Sequence, residues 1–301
     1  MDLFYILFFS ILGLGLVSQI FNSFRSKVAV RFSFVSSLSW VFFCFLLGLW
    51  LGFTKGAEKA WSFLGVFWIE YLLSLDNLIV FHLIFELSKT DQNLRQKILN
   101  IGIISAIILR VLFIILGLSV ASHWSLIYPL FGLFLFYGAY QLIKPEKTPS
   151  HNSLLKTKNI QLGPFVFDPQ EKKKWLFLTK NKIVLGASAL TLLAIESSDI
   201  VFAFDSVPAS FALSSDPLVI IGGNICGVLG LRSLYFVIEK TAQKILSIRK
   251  LSAWLLILMG TELIAKFWID IPPLYSFIGI MVCCIFYGIW EKGFFKKNTS
   301  N

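Results

Sequence analysis

The stretch "AIESSDIVFAFDSVPA", Ala194 to Ala209, threads three carboxylates, Glu196, Asp199 and Asp205, between Ile, Val, Phe and Ala. It is long enough and apolar enough to belong to a membrane-crossing helix, yet each ionised acid at the centre of such a helix costs about 2.5–3.5 kcal/mol. The rest of the chain decides in favour of the membrane. Of its 301 residues, 56% are hydrophobic and only 15% are charged, and the mean hydropathy is +0.77. A soluble domain carries about 25% charged residues, so this chain has too little polar surface to cover a core. The four cysteines, Cys44, Cys226, Cys283 and Cys284, have no CxxC spacing and lie in apolar runs. They read as structural thiols.

A spanning helix needs about 20 apolar residues. Nine runs qualify as candidates: 3–21, 33–53, 62–85, 98–120, 125–143, 183–211, 218–238, 251–268 and 273–290. The first has an acidic head, Met1-Asp2, and "SQIFNSFRSK" offers no small-x-small cleavage site, so it reads as a retained helix. Lys and Arg test this count, because positive loops stay in the cytoplasm. Of the 27, the alternate connections that begin after the first span hold 22 and the opposite side holds three, Lys55, Lys59 and Lys266. Arg110 and Arg232 fall inside spans. One span more or fewer would scramble this split. The expected orientation is N-terminus outside and C-terminus cytoplasmic. The net charge of +10 is then a set of topology-fixing cations and calls for no nucleic acid.

The chain divides into five parts. Residues 1–32 hold the first span and a cytoplasmic loop, and 33–143 form a first membrane half. Residues 144–182 are a basic cytoplasmic linker with scattered charge and no sustained period. Residues 183–268 form a second membrane half, and 269–301 hold the last span and a basic tail. His151 lies in the linker as a solvated residue, and the run Lys172 to Lys174 is a solvated face or a contact for anionic headgroups.

The two halves repeat. "EYLLSLDN", 70–77, aligns with "DIVFAFDS", 199–206: an acid, five intervening residues, an Asp, then a small polar residue. "YGAYQLIK", 137–144, faintly echoes "MGTELIAK", 259–266. Spans three to five and six to eight then form two three-helix units that run in opposite directions. The expected fold class is all-α: a polytopic transmembrane helix bundle of about nine spans with two inverted three-helix repeats. Such bundles commonly place a polar site near the midplane, at the repeat interface.

Five intramembrane acids, Glu70, Asp76, Glu196, Asp199 and Asp205, face two intramembrane counter-charges, Arg110 and Arg232. The negative surplus must be met by protons, by a divalent cation or by both. Residues six apart on a regular helix point about 120° from each other, so Glu70 and Asp76, or Asp199 and Asp205, do not share a face. Local unwinding is one solution. Pro208 cannot donate to the Phe204 carbonyl and is the expected helix break. Asn77 and Ser206 add neutral oxygens. An all-oxygen set suits Mn²⁺, Mg²⁺ or Ca²⁺ and lacks the Cys and His that zinc and copper favour. His82 and His123 are expected to lie outside it, and Glu262 is expected to pair with Lys266 one turn on. The bland reading is that the acids pair with the two arginines and hold helices together.

"EYLLSLDNLIVF" (70–81), "ESSDIVFAFDSVPA" (196–209) and "GNICGVLGLRSLYF" (223–236) resemble the characteristic segments of the TerC family. These integral membrane proteins are named for tellurium resistance and are related to LysE-type exporters. The resemblance covers about residues 33 to 290. It implies a multi-span protein of the bacterial inner membrane, or of a thylakoid, and an association with Mn²⁺ export. The family's polar membrane positions fall on Glu70, Asp76, Asn77, Glu196, Asp199, Asp205 and Ser206.

The expected function is export of a divalent metal ion through these residues, Mn²⁺ or else Ca²⁺, in exchange for protons. The partners are then the metal ion and the lipid bilayer. No GxxxxGK[ST] loop occurs, so ATP use is not expected, and an enzyme is not expected either. A net negative pocket would repel an oxyanion such as tellurite. The alternative is a membrane scaffold that organises other membrane stress-response proteins, with the linker as its docking arm. An intramembrane Asp-pair hydrolase is a weaker third reading.

Overall fold

The computed structural model describes residues 30–88, 90–124, 126–144, 160–162, 165–168, 176–179, 182–238 and 245–298, with four positions of the first expected span (8, 10, 13 and 14). Eight helices lie among the described residues. They are α1 Val30–Lys55, α2 Ala57–Leu87, α3 Gln92–His123, α4 Ile127–Ile143, α5 Ala187–Leu213, α6 Pro217–Ile238, α7 Ile245–Ala265 and α8 Pro273–Asn298. Each overlies one expected run. Four are long and apolar enough to cross a membrane: Val35–Lys55 within α1, all of α2, Leu94–His123 within α3 and Pro273–Trp290 within α8. α4 is a shorter apolar helix, as is the Pro217–Gly230 part of α6, and α5 carries the three acids.

The turns explain where helices stop. Gly56 separates α1 from α2 with φ at 98°, in the region that a Cβ disfavours. Pro217 and Pro273 occupy first-turn positions, where no N–H is needed. The Asp216 carboxylate accepts the Leu218 N–H at 3.0 Å and caps α6.

The segment before α5 departs from the expected linker. It holds β1 Ile160–Leu162, β2 Phe165–Asp168, β3 Leu176–Thr179 and β4 Lys182–Gly186, in one sheet of order β1-β2-β4-β3. β2 and β4 are parallel and the other pairs antiparallel. The runs "FVFD", "LFLT" and "KIVLG" are short, aromatic and β-branched, which suits a pleated strand although no run is long enough to announce one. β4 takes the first residues of the run expected as the sixth span, so α5 begins at Ala187.

α2 is the axis of the bundle. It is mostly buried, and α1, α5, α6, α7 and α8 pack around it. α6 comes close because glycine lines its contact face. A Cβ at Gly223 would stand 2.8 Å from Val66 Cβ, and one at Gly227 2.8 Å from Glu70 Cβ. α4 and α7 cross backbone to backbone. A Cβ at Gly132 would lie 2.7 Å from the Gly260 carbonyl oxygen, and one at Gly260 2.9 Å from that of Gly132. Small residues at crossings are how helices associate where water gives no drive. Large apolar side chains cover the outside instead, among them Phe42, Ile108, Leu112, Ile115, Leu133, Ile285 and Phe286. So wide an apolar exterior fits a lipid solvent.

Two ends are defined. At one, the Lys59 ammonium meets the Asp216 carboxylate at 2.6 Å, and Lys266 Nζ donates to the Phe211 carbonyl at 3.1 Å. The start of α2 therefore sits beside the end of α5, and the two helices are antiparallel. At the other end Arg95 pairs with Glu86 at 2.9 Å across the α2–α3 turn.

Candidate functional site

α2 and α5 bring their acids to the middle of the bundle. Glu70 is fully buried, and it forms an ion pair with Arg110 of α3, itself 3% exposed. Ser74, one turn on from Glu70, donates to the same carboxylate oxygen at 2.6 Å. Arg110 also donates to Ser206 Oγ of α5 at 2.8 Å. Asp199, buried on α5, lies within electrostatic reach of Arg110, Glu196 and Glu70. Glu196, half-buried nearer the sheet end, accepts from Ser105 of α3 at 2.6 Å. This is one group: Glu70, Arg110, Asp199, Ser206 and, at its edge, Glu196.

The second group is Asp76 with Asp205. Asp76 is buried, Asp205 is half-buried, and the two interact electrostatically. Asp205 Oδ1 stands 2.9 Å from where a Cβ at Gly138 would be, so that glycine admits the carboxylate against α4. The helical geometry explains the division. Six residues of regular helix turn Glu70 away from Asp76 and Asp199 away from Asp205. Electrostatic coupling links Glu70 to Asp199 and Asp76 to Asp205. Among the described residues no three His, Cys, Asp or Glu side chains come together as a metal-holding cluster.

The expected break at Pro208 does not occur: α5 is continuous from Ala187 to Leu213 with Pro208 inside it. Ala203, Val207, Pro208 and Ala209 are all buried, and this packing holds the backbone helical around the missing N–H. The unwound-carbonyl ligand drops out with it. Arg232 lies outside the residues whose side chains are described.

Between α2, α3, α5 and α6 lies a cavity of about 30 Å³, bounded by Asn77, Arg110, Asp199, Leu99, Gly102 and Ile195 among others. It has room for about two water-sized spheres. Polar atoms crowd nearby. Glu70 Oε2 and Arg110 Nε are buried without a protein hydrogen-bond partner among the described residues. Buried polar atoms are normally satisfied, so these mark a place for water or an ion.

His123 is exposed at the end of α3, where its ring bonds the Ser119 carbonyl at 2.8 Å. Glu262 accepts from Ser276 of α8, while Lys266 turns to the Phe211 carbonyl instead of closing an ion pair with Glu262. Sequence reasoning missed Ser74, Ser105, Gly138 and Gly227. Ser74 was legible as the i+4 neighbour of Glu70. The other three act between helices far apart in sequence and left no local signal.

Comparison with known proteins places the chain among membrane proteins. A Rickettsia felis protein named "Uncharacterized membrane protein" is 29% identical over 93% of this chain and 91% of its own length. A Photorhabdus laumondii protein, named as a candidate membrane-bound redox modulator, Alx, is 28% identical over 92% of this chain and 90% of its own. The thylakoid membrane protein TERC of Arabidopsis thaliana is 32% identical over 73% of this chain and 58% of its own. No solved structure matches. The integral membrane protein TerC family matches residues 55–300, the part of the chain that holds both acid pairs and both glycine crossings, and the chain belongs to that family.

Proposed function

We propose that this protein exports a divalent metal ion, Mn²⁺ in the first instance and Ca²⁺ as the competing cargo, through the carboxylates of α2 and α5. The observation that carries the reading is the gathering of Glu70 and Asp199 about Arg110, with Asp76 and Asp205 coupled electrostatically, at the middle of apolar helices. Acids at that depth are tolerated when a cation or protons meet their charge, and export in exchange for protons supplies both.

In this reading six of about nine spans form two inverted three-helix units, α2–α4 and α5–α7. Support comes from the antiparallel course of α2 and α5 and from the mutual glycine contact of α4 and α7. The protein resides in the inner membrane of a bacterium, and the Lys and Arg bias supports an N-terminus outside and a C-terminus in the cytoplasm. The ion enters from the sheet end past Glu196 and exchanges water for carboxylate oxygen at Asp76 and Asp205. Asn77 supplies a neutral oxygen beside them, and Ser206, which accepts from Arg110, a further one deeper along α5. The membrane potential opposes cation export by about 2.3 kcal/mol per charge per 100 mV, so uptake of protons by the same carboxylates supplies the drive.

The test is Mn²⁺ uptake into inside-out proteoliposomes, with Asp205→Asn beside the native protein. Uptake that disappears in a folded Asp205→Asn protein is the expected result. One observation favours the scaffold reading: the Glu70–Arg110 pair ties α2 to α3 as a purely structural device would. No uptake of any divalent cation, with or without a pH gradient, would leave that reading standing and remove this one.

A further inference from the structure

Beyond the carboxylates, a polar line continues toward the Lys59–Asp216 end of the bundle. Arg110 donates to Ser206 Oγ at 2.8 Å. One turn further along α5, Ser210 donates to the Ser206 carbonyl at 3.0 Å and accepts from Asn224 Nδ2 of α6 at 3.0 Å. Asn224 Nδ2 also donates to the Ile220 carbonyl at 2.9 Å. That last bond fixes the amide, because a flipped Asn224 would set oxygen against oxygen. With both amide protons committed, Asn224 Oδ1 is an acceptor alone. It is buried, its residue 1% exposed, and has no protein hydrogen-bond partner among the described residues. A buried amide oxygen left without a hydrogen bond is unfavourable, so the site favours a group that can meet it.

We infer that Asn224, with the remaining lone pair of Ser210, forms a second, uncharged oxygen subsite that receives a hard divalent cation after it leaves the carboxylates. The inference rests on the transport reading above. Its chemistry differs from that of the first site in the way an exit requires. Affinity for hard cations rises with the number of charged ligands, so two neutral oxygens hold the ion weakly and let it go. The position is right as well. Asn224 lies seven residues from the start of α6 and Ser210 three from the end of α5. At about 1.5 Å per residue, both stand within roughly 10 Å of the end that the charge bias places outside. The inner half of the path offers an acid, Glu196, and the outer half offers an amide.

The test uses the full chain in proteoliposomes with Mn²⁺ as probe, measuring equilibrium binding and initial flux. Asn224→Leu should bind Mn²⁺ within about twofold of the native protein while its turnover falls about tenfold or more. Asn224→Asp keeps the shape and adds charge, and should lower KM and kcat together by about tenfold. Native turnover in Asn224→Leu, beside an inactive Asp205→Asn, would reduce Asn224 to a residue hydrated by trapped water and leave the carboxylate reading intact. If the leucine variant fails to fold, unchanged KM and kcat in Asn224→Asp overturn the inference by themselves. No Mn²⁺ movement by the native protein removes both the inference and the reading under it.

Discussion

Glu70 and Arg110 form the pair whose loss should be felt most. Both are buried, and Ser74 and Ser206 complete their hydrogen bonding. Glu70→Gln leaves a guanidinium in the bundle without its countercharge, which costs about 3–5 kcal/mol. Thermal unfolding in detergent should therefore shift strongly downward for Glu70→Gln. It should recover part of the way in Glu70→Gln/Arg110→Met, which removes both charges. A Glu70→Gln protein as stable as the native one would show that the pair holds nothing together. At this scale the sequence was largely legible. Acids inside apolar runs stand out because burial makes them expensive, but the local unwinding drawn from the 120° argument does not occur, since both helices are continuous. What the sequence could not supply was the partner. Nothing in the local sequence says that Glu70 looks to Arg110, because that depends on how α2 and α3 are rotated about their axes.

At the α4–α7 crossing, backbone meets backbone. Gly132 and Gly260 face each other's carbonyl oxygens, so Gly132→Ala would push a methyl to 2.7 Å from rigid backbone. No rotamer can relieve that, and the helices must part, at a cost of about 1–3 kcal/mol. The measurable outcome is a lower Tm for Gly132→Ala, with little change for Gly288→Ala, where a Cβ meets nothing within 4 Å. An equal response at both positions would argue against the close crossing. Element boundaries were readable wherever apolar runs are long. They failed at β4, where "KIVLG" reads as apolar helix or as strand with equal ease until its neighbours β2 and β3 are in place. Pro208 misled for the opposite reason. A single missing N–H looks decisive in isolation, yet the packing of α5 outweighs it.

For the whole molecule, the charge split of Lys and Arg makes a directional claim that chemistry can check. In a background without native cysteines, Glu58→Cys lies at the Lys59–Asp216 end and Asp91→Cys at the α2–α3 turn, both exposed. A membrane-impermeant maleimide should label position 58 in intact cells and position 91 only after permeabilisation. The reverse pattern would invert the assigned orientation and with it the direction of export. The opposite courses of α2 and α5 were legible in the charge split, but their packing against each other was not, since it is a property of the assembled bundle. The buried ion pair has a last consequence, for how the chain is made. Glu70 and Asp76 reach the membrane on α2 before Arg110 has been synthesised on α3. A nascent chain that ends just past α2 presents two acids to lipid with no internal cation, and each is unfavourable by about 2.5–3.5 kcal/mol at mid-membrane. The translocon should therefore release α2 and α3 together as a hairpin. Glycosylation-site mapping on truncated chains should find α2 integrated poorly when alone, efficiently when α3 follows, and poorly again when α3 carries Arg110→Leu.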